Sequence, residues 1–167
     1  MPSHKGDRYG DGAGNALYGE GGDDIINGGG GNDYLHGGRC YDVLTGGEGA
    51  DQFIFSNIDT VQHEMGNHIP SLWATVTDFN VGQGDRINLK GFMDLGSVPG
   101  PTACIGGGAF TGTQQNPGIG QVRLTGGGGG TTVHMDIDGD GTEDGSIFLQ
   151  GLTGFMKPGE DAFLLSH

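Results

Sequence analysis

The amino-terminal third of the chain repeats a pattern of nine residues. From Gly10 to Ile54 the sequence divides into five consecutive blocks, GDGAGNALY, GEGGDDIIN, GGGGNDYLH, GGRCYDVLT and GGEGADQFI. In each block a glycine-rich run of six residues precedes three residues whose middle one is always apolar. Glycine-rich runs favour tight turns, and a three-residue segment with one inward apolar side chain is typical of a short strand. The pattern therefore predicts an all-β coil of parallel strands, in which two blocks complete each coil.

The sixth and eighth positions of the blocks carry the chemistry. The sixth holds Asn15, Asp24, Asp33, Asp42 and Asp51, and the eighth holds Leu17, Ile26, Leu35, Leu44 and Phe53. Because successive coils of a parallel sheet stack about 4.8 Å apart, Asp24 should face Asp42, and Asp33 should face both Asn15 and Asp51. Two carboxylates about 5 Å apart repel by roughly 3 kcal/mol at an effective dielectric constant of about 20. A divalent cation between them would reverse that sign.

The glycines favour calcium as this cation. Turns without side chains let backbone carbonyls point into the same gap, and together with the carboxylates they can supply the six or more oxygen ligands that calcium prefers. Two other interpretations are a flexible Gly/Asp linker and a phosphate-cradling loop. Neither requires a period of nine with an apolar residue always two positions after the aspartate, so we favour the calcium-bound coil.

Composition supports a cation as partner and argues against polyanions. The 167 residues include 39 Gly, 21 Asp+Glu and 7 Lys+Arg, which makes the formal net charge −14. This charge disfavours nucleic acid and anionic membranes. A chain so rich in glycine buries too little apolar surface to offset its ordering entropy, so metal binding is expected to contribute to folding. No apolar run has the length of a membrane span, and the first residues lack the core of a cleavable signal peptide.

The second half of the chain predicts antiparallel strands. The segments QVRL, TVHMDI and SIFLQGL alternate apolar and polar residues and are separated by glycine-rich turns, which favours a β-sandwich-like cap. A roll needs such a cap because its last coil otherwise exposes an open edge. Cys40 and Cys104 are too few for a disulfide scaffold, and whether they pair stays open.

An acidic loop lies between two of these segments. Asp136, Asp138, Asp140 and Asp144 form D-x-D-x-D-G-x-x-D. Oxygen groups on alternate residues of a tight loop converge, as in calcium loops generally. The terminal Glu of an EF-hand loop is replaced by Ile147, so a calcium site and a solvated acidic hairpin turn both remain open.

No catalytic site is expected. His63 and His68 in HEMGNH resemble a zinc-protease motif, but the second histidine comes one residue late. The two imidazoles would diverge on a helix, and Gly66 with Asn67 disfavours a helix there. A loop is the favoured interpretation, with zinc as the alternative, and the chain shows no nucleophilic triad or nucleotide loop.

The blocks GGGGNDYLH and GGEGADQFI resemble the calcium-binding nonapeptide of RTX, or hemolysin-type, proteins. The resemblance implies a parallel β-roll over residues 10–54 after a disordered segment 1–9. It also implies that each ion is held by two turns, mostly through carbonyls. One ion would take Glu20, Gly22 and Asp24 with Gly37, Arg39 and Asp42; a second would take Gly29, Gly31 and Asp33 with Gly46, Glu48 and Asp51; a weaker third would take Asp11, Ala13 and Asn15 with Gly28, Gly30 and Asp33.

Departures from the RTX pattern lead to two expectations. Asn15 replaces a carboxylate, so the third site should be weak or empty. Ala13 and Cys40 occupy glycine positions where a positive φ is expected, which would strain each residue by about 1 kcal/mol.

From Ala50 onward, segments such as ADQFIF and VTDFNVGQGDRINLKGF resemble the domain that follows the repeats in serralysin-type proteases and in alginate epimerase R-modules. This resemblance implies a serralysin C-terminal-like β cap over residues 55–167. Among its acidic residues we place Asp59 first as a calcium ligand and treat Asp78 and Asp85 as turn residues. The terminal GEDAFLLSH resembles a type I secretion signal, although it also fits one more strand.

These observations predict a non-catalytic calcium-binding module of a secreted, extracellular protein. It would bind several calcium ions and fold on them after passing the type I secretion machinery, and we expect it to be a monomer that does not insert into membranes. One alternative is an R-module that binds an acidic, alginate-like polysaccharide and serves a secreted epimerase, lyase or glycanase. Another is the C-terminal region of an M10 metalloprotease without its catalytic domain.

Overall fold

The computed structural model describes residues 6–56, 72–91, 103–105, 121–136, 141, 143–152 and 163–164. Regular structure in these ranges consists of β-strands alone. The strands are β1 (Arg8–Tyr9), β2 (Ala16–Tyr18), β3 (Ile25–Gly30), β4 (Tyr34–His36), β5 (Cys40–Glu48), β6 (Gln52–Ser56), β7 (Leu72–Val76), β8 (Arg86–Gly91), β9 (Ala103–Ile105), β10 (Gln121–Gly127), β11 (Gly130–Asp136), β12 (Gly145–Gln150) and β13 (Phe163–Leu164). Within the described ranges there is no helix long and apolar enough to cross a membrane.

Strands from successive blocks alternate between two sheets. One sheet has the order β1-β3-β5-β7-β12-β11-β10-β9, and the other has the order β13-β8-β6-β4-β2. Strands of the roll pair in parallel with an offset of 18 residues, as in Ile26 with Leu44 and Leu35 with Phe53. Eighteen residues are two blocks, so the predicted all-β parallel β-roll with two blocks per coil is confirmed.

The apolar eighth position of each block lies in the space between the two sheets. Ile26, Leu35, Leu44 and Phe53 are completely buried, whereas Leu17 in the first block is only partly buried. Burying one such side chain contributes about 1.5–3 kcal/mol. The same hydrophobic core continues into the second half of the chain through residues that include Val122, Val133, Ile147 and Leu149.

The parallel ladders extend beyond residues 10–54 at both ends. β1 pairs with β3, with Arg8 opposite Ile26, so the first sheet begins before Gly10. After β6, strands β7 and β8 add one further coil, but Cys40 pairs with Leu72 and Gln52 with Arg86, offsets of 32 and 34 residues. The nine-residue period is therefore interrupted in sequence while the stacking of coils continues in space.

The antiparallel strands extend the sheet of the roll edge to edge. β12 pairs in parallel with β7 on one side and antiparallel with β11 on the other, and β11 pairs antiparallel with β10. Gly128 and Gly129 connect β10 to β11 with φ of 62° and 84°, values that glycine adopts without strain. The predicted antiparallel segments thus cover the open edge of β7 by continuing its sheet.

Candidate metal centre

The aspartates at the sixth position of the blocks form two buried rows, one on each edge of the roll, with Asp24 and Asp42 in one row and Asp33 and Asp51 in the other. Asp24, Asp33, Asp42 and Asp51 are each at most 4% exposed. Within each row, Oδ1 of the later aspartate accepts a hydrogen bond from the backbone N–H of the earlier one. The distances are 3.0 Å from Asp24 N to Asp42 Oδ1 and 2.9 Å from Asp33 N to Asp51 Oδ1. The facing pairs predicted from the period are therefore brought together.

The second oxygen of these carboxylates is buried without a partner. Asp24 Oδ2, Asp33 Oδ2 and Asp51 Oδ2 are buried and have no hydrogen-bond partner. Leaving a buried acceptor unsatisfied costs about 1–3 kcal/mol, and more when the group is charged. Each of these oxygens needs a bridging proton or a cation.

Backbone carbonyls lie beside these unsatisfied oxygens. A Cβ added at Gly19 would collide with Asp24 Oδ2 and the Gly37 carbonyl, and a Cβ at Gly28 would collide with Asp33 Oδ2 and the Gly46 carbonyl. Oxygens from two successive coils thus border one small space that only a glycine leaves open. Each carboxylate–carbonyl pair belongs to one of the two main predicted sites, and a set of hard oxygens suits calcium.

The other predicted carbonyl ligands lie on the same turns and form ladder hydrogen bonds. Arg39 N donates to Glu20 O and Gly22 N donates to Arg39 O, both at 3.2 Å. Gly30 lies in register with Glu48 on the adjacent coil. A carbonyl oxygen has two lone pairs, so a ladder bond leaves one available to a cation.

The turn around Asn15 differs from the buried turns. Its side-chain oxygen accepts from Asp11 N at 2.9 Å, and Asp11 and Ala13 are exposed. A Cβ at Gly10 would still meet Asn15 Oδ1 and the Gly28 carbonyl, so the two oxygens converge as in the other sites. Asn15 carries no charge, and its side-chain oxygen already accepts a hydrogen bond from Asp11 N. This turn therefore attracts a cation less strongly than the turns that contain a buried aspartate.

Backbone geometry explains the glycines of the turns and two exceptions. Glycines at the second and fourth positions of the later blocks have φ between 94° and 136°, and two other residues also have a positive φ, Glu20 (φ 77°) and Cys40 (φ 86°). The expectation of a positive φ is correct for Cys40 and wrong for Ala13, because the exposed first turn does not adopt the conformation of the buried turns. A positive φ was not predicted for Glu20, although it occupies the second position of its block, where the next three blocks carry glycine.

Asp85 continues the row of Asp33 and Asp51 by one coil. It is 2% exposed; its Oδ1 accepts from Asp51 N at 3.1 Å and its Oδ2 from Asn80 N at 2.8 Å. Residues 80–88, NVGQGDRIN, carry Asp85 at a sixth position and Ile87 at an eighth, but they lack the leading glycine pair that would have revealed a block. Asp78 accepts hydrogen bonds from Gly46 N and Gly47 N at 2.9 and 2.8 Å, which holds the preceding turn.

Burial raises the pKa of Asp51 and that of Asp85. For Asp51, hydrogen bonding from Asp33 partly opposes this effect, while the nearby carboxylates, Asp85 first, add to it. For Asp85, backbone hydrogen bonds and Arg86 oppose it and Asp78 adds to it. Because both pKa values are higher in the folded state, the metal-free fold loses stability as pH rises from the unfolded pKa of 3.8 through the folded pKa. A divalent cation would offset that loss.

The acidic loop is described in part. Asp136 is completely buried and its Oδ2 accepts from Gly141 N at 3.0 Å, while Asp144 N donates to Met135 O at 2.8 Å. These bonds link the end of β11 to residues that precede β12. Asp59, Asp138, Asp140 and the segment 63–68 lie outside the described residues.

Two further findings concern metal-binding side chains. In the part of the chain that the structure describes, three or more His, Cys, Asp or Glu side chains nowhere converge as a metal-binding group. A cation in the roll would therefore rely on one or two carboxylates and several carbonyls. Cys40 is a half-buried free thiol.

Comparison with known proteins finds a match among solved structures only. No model of a protein family and no curated protein matches the sequence. The fold is similar to the solution structure of the AlgE6R3 subunit from the Azotobacter vinelandii mannuronan C5-epimerase, with a TM-score of 0.56 and 24% sequence identity over 99% of this chain and 82% of the other. The likeness shows that the chain shares the fold of this subunit.

Proposed function

We propose that the chain is a non-catalytic module of a secreted protein whose β-roll folds around calcium ions. The observation that carries this proposal is the set of buried, unpartnered carboxylate oxygens, Asp24 Oδ2, Asp33 Oδ2 and Asp51 Oδ2. At Asp24 and Asp33 a backbone carbonyl of the next coil lies beside this oxygen. Two acceptors that share a dry space repel each other unless a cation or a proton lies between them.

Calcium fits this space better than the alternatives do. Magnesium demands a tight octahedron and keeps several waters, whereas calcium accepts six to eight oxygens, carbonyls included, in flexible geometry. Bound calcium would supply the charge that offsets carboxylate repulsion along each row. The residues of the chain orient the oxygens, since Oδ1 of each aspartate is fixed by a backbone N–H of the preceding coil.

The difference in calcium concentration between the cytosol and the exterior would determine when the chain folds. Extracellular calcium modules have dissociation constants of about 10⁻⁴–10⁻³ M, so the sites would be empty in the cytosol and filled outside. A site at tenfold excess over its dissociation constant adds about 1.4 kcal/mol to folding stability. Export through a type I system before folding is consistent with this difference.

Far-UV circular dichroism with calcium and with EGTA tests the proposal. We expect the full β spectrum and a cooperative unfolding transition in calcium, and loss of the β signal of the roll after chelation. Magnesium at equal concentration serves as the matched control and should restore little of the signal. A β spectrum that EGTA leaves unchanged would contradict the proposal.

A second candidate is an accessory module of a larger polysaccharide-modifying enzyme. It is favoured by the shared fold with a subunit of a mannuronan C5-epimerase, which covers 99% of this chain. Calorimetry in calcium, with both uronic-acid and neutral oligosaccharides, is the test. Heat from either class supports the candidate, and its absence from both counts against it.

A further inference from the structure

The outer face of the eight-stranded sheet carries aromatic and hydroxyl side chains where the roll meets the antiparallel strands. Ala74 and Ile147 face the core, so the residues beside them in sequence face outward. The strand register places Tyr41, Trp73 and Ser146 in one row across β5, β7 and β12. The adjacent row contains Val43, Thr75, Phe148 and Thr132.

These two rows line a trough of about 480 Å³. The rings of Tyr41 and Trp73 stack with centroids 5.8 Å apart and planes 28° from parallel, and Tyr41 is 62% exposed. The next strand in the row carries only Ser146, a residue too short to fill the space beside the indole. Phe148 lies in the neighbouring row, so the trough has aromatic side chains in both of its rows.

Apart from the buried Asp42, the lining of the trough is uncharged. Thr75 and Thr132 are half-buried and carry hydroxyls, as does Ser146, which is only 7% exposed, and the other outward side chains are aromatic or aliphatic. Asp42 also borders the trough, but it is only 4% exposed and its Oδ1 is bound by Asp24 N on the turn side. A ligand in the trough thus meets flat rings and neutral hydrogen-bonding groups.

The surrounding charges disfavour an acidic ligand. Arg123 on β10 pairs with Glu143 at 3.4 Å, and His134 Nδ1 lies 2.9 Å from the same carboxylate. Arg39, two residues before Tyr41 in the sequence, is half-buried and does not line the trough. The chain as a whole carries −14. A polyanion would therefore lose electrostatic energy on approach and gain no ion pair from the lining.

We propose that this trough binds a neutral glycan built from hexopyranose rings with equatorial substituents. Such rings have flat faces of polarised C–H groups, which complement the negative π faces of Tyr41 and Trp73, and a rim of hydroxyls for the threonine and serine side chains. The inference deepens the second candidate function by naming the ligand class and the surface. It requires a folded chain but no particular occupancy of the acidic turns.

Trp73 provides a direct probe because it is the only tryptophan in the chain. In excess calcium, titration with cellohexaose should change the tryptophan emission saturably as the sugar covers the indole. A circular dichroism spectrum in the same buffer verifies that the protein is folded. A folded protein whose emission does not respond to cellohexaose up to its solubility limit would overturn the proposal.

Matched tyrosine variants separate the trough from the rest of the surface. Tyr41→Ala should weaken cellohexaose binding roughly five- to tenfold, the range expected for loss of one aromatic contact. Tyr34→Ala removes a 47% exposed tyrosine on β4 of the other sheet and should leave affinity unchanged. Equal losses in both variants would contradict the assigned surface. Trp73→Ala, followed by calorimetry, should abolish the heat of binding.

Other outcomes distinguish this proposal from the proposals above. If oligoguluronate of equal length binds more tightly than cellohexaose, the trough is not a neutral-glycan site, while the accessory-module function still stands. Emission changes on concentrating the protein alone would indicate that a second copy covers the trough, and would also overturn the inference. Loss of calcium dependence would remove the calcium proposal without touching this one.

Discussion

The turns of the roll and the strands β10–β12 belong to one fold but are stabilised by different chemistry. A block of the roll buries one apolar side chain per nine residues and with it a carboxylate such as Asp33, which has an unsatisfied oxygen. In β11 the apolar side chains of Val133 and Met135 are buried at alternate positions. Its outward His134 bonds to Glu143 and Thr125 at 2.9 and 2.7 Å.

The difference shows where each region obtains its stability. Among the described residues of the antiparallel strands, no carboxylate oxygen is buried without a partner, so this region should depend less on an added ion. The roll leaves acceptor groups facing each other in a dry space, which is unfavourable until a cation is added. Calcium dependence should therefore be concentrated in one half of a continuous sheet.

The largest expected effect is a difference in hydrogen-exchange protection between the roll and the antiparallel strands. At limiting calcium, backbone amides of β3–β6 should lose protection from hydrogen exchange before those of β11 and β12, because ligation stabilises the roll by about 1.4 kcal/mol per site at tenfold excess. Hydrogen exchange followed by mass spectrometry across a calcium series measures this. Simultaneous loss of protection in both regions would show that the shared core makes them one cooperative unit.

A pair of charge-removing substitutions sharpens the comparison. Asp33→Asn keeps the Oδ1 acceptor for Asn15 N but places an amide beside the Gly46 carbonyl. We expect it to raise the metal-free stability and to remove about 1.4 kcal/mol of calcium-dependent stabilisation at tenfold excess. Glu143→Gln should change the free energy of unfolding by about 1 kcal/mol or less at any calcium concentration.

Urea denaturation with calcium and with EGTA measures both variants. For Asp33→Asn the two curves should lie closer together than for the parent protein, and for Glu143→Gln their separation should be unchanged. An Asp33→Asn variant with the full calcium response would exclude its carboxylate as a ligand.

The smallest expected effect concerns backbone strain. Cys40→Gly should stabilise the calcium-bound fold by about 1 kcal/mol, because φ of 86° disfavours any residue with a Cβ. Ala13→Gly is the matched control; Ala13 has no positive φ, so this change should destabilise by about 0.4–1 kcal/mol. Thermal unfolding in excess calcium compares them, and a gain at both positions would contradict the strain argument.

The sequence predicted those parts of the fold that depend on regularly spaced residues. The spacing of Asp24, Asp33 and Leu35 was enough to predict parallel coils of two blocks and the burial of the eighth position. Alternation in QVRL, TVHMDI and SIFLQGL was enough to predict antiparallel strands. It was not enough to predict that they continue the sheet of the roll, because edge pairing such as β7 with β12 leaves no periodic signal.

The candidate site could likewise be predicted only in part from the sequence. The period alone determined that Asp24 faces Asp42 and Asp33 faces Asp51, since an offset of 18 residues is fixed once two blocks form a coil. Only the tertiary structure placed Asp85 beside Asp51 and Trp73 against Tyr41, because the sequence between β6 and β7 breaks the period before the ladders resume. Local repetition specifies contacts between residues at a constant spacing, whereas contacts across an interruption depend on which strands share a sheet.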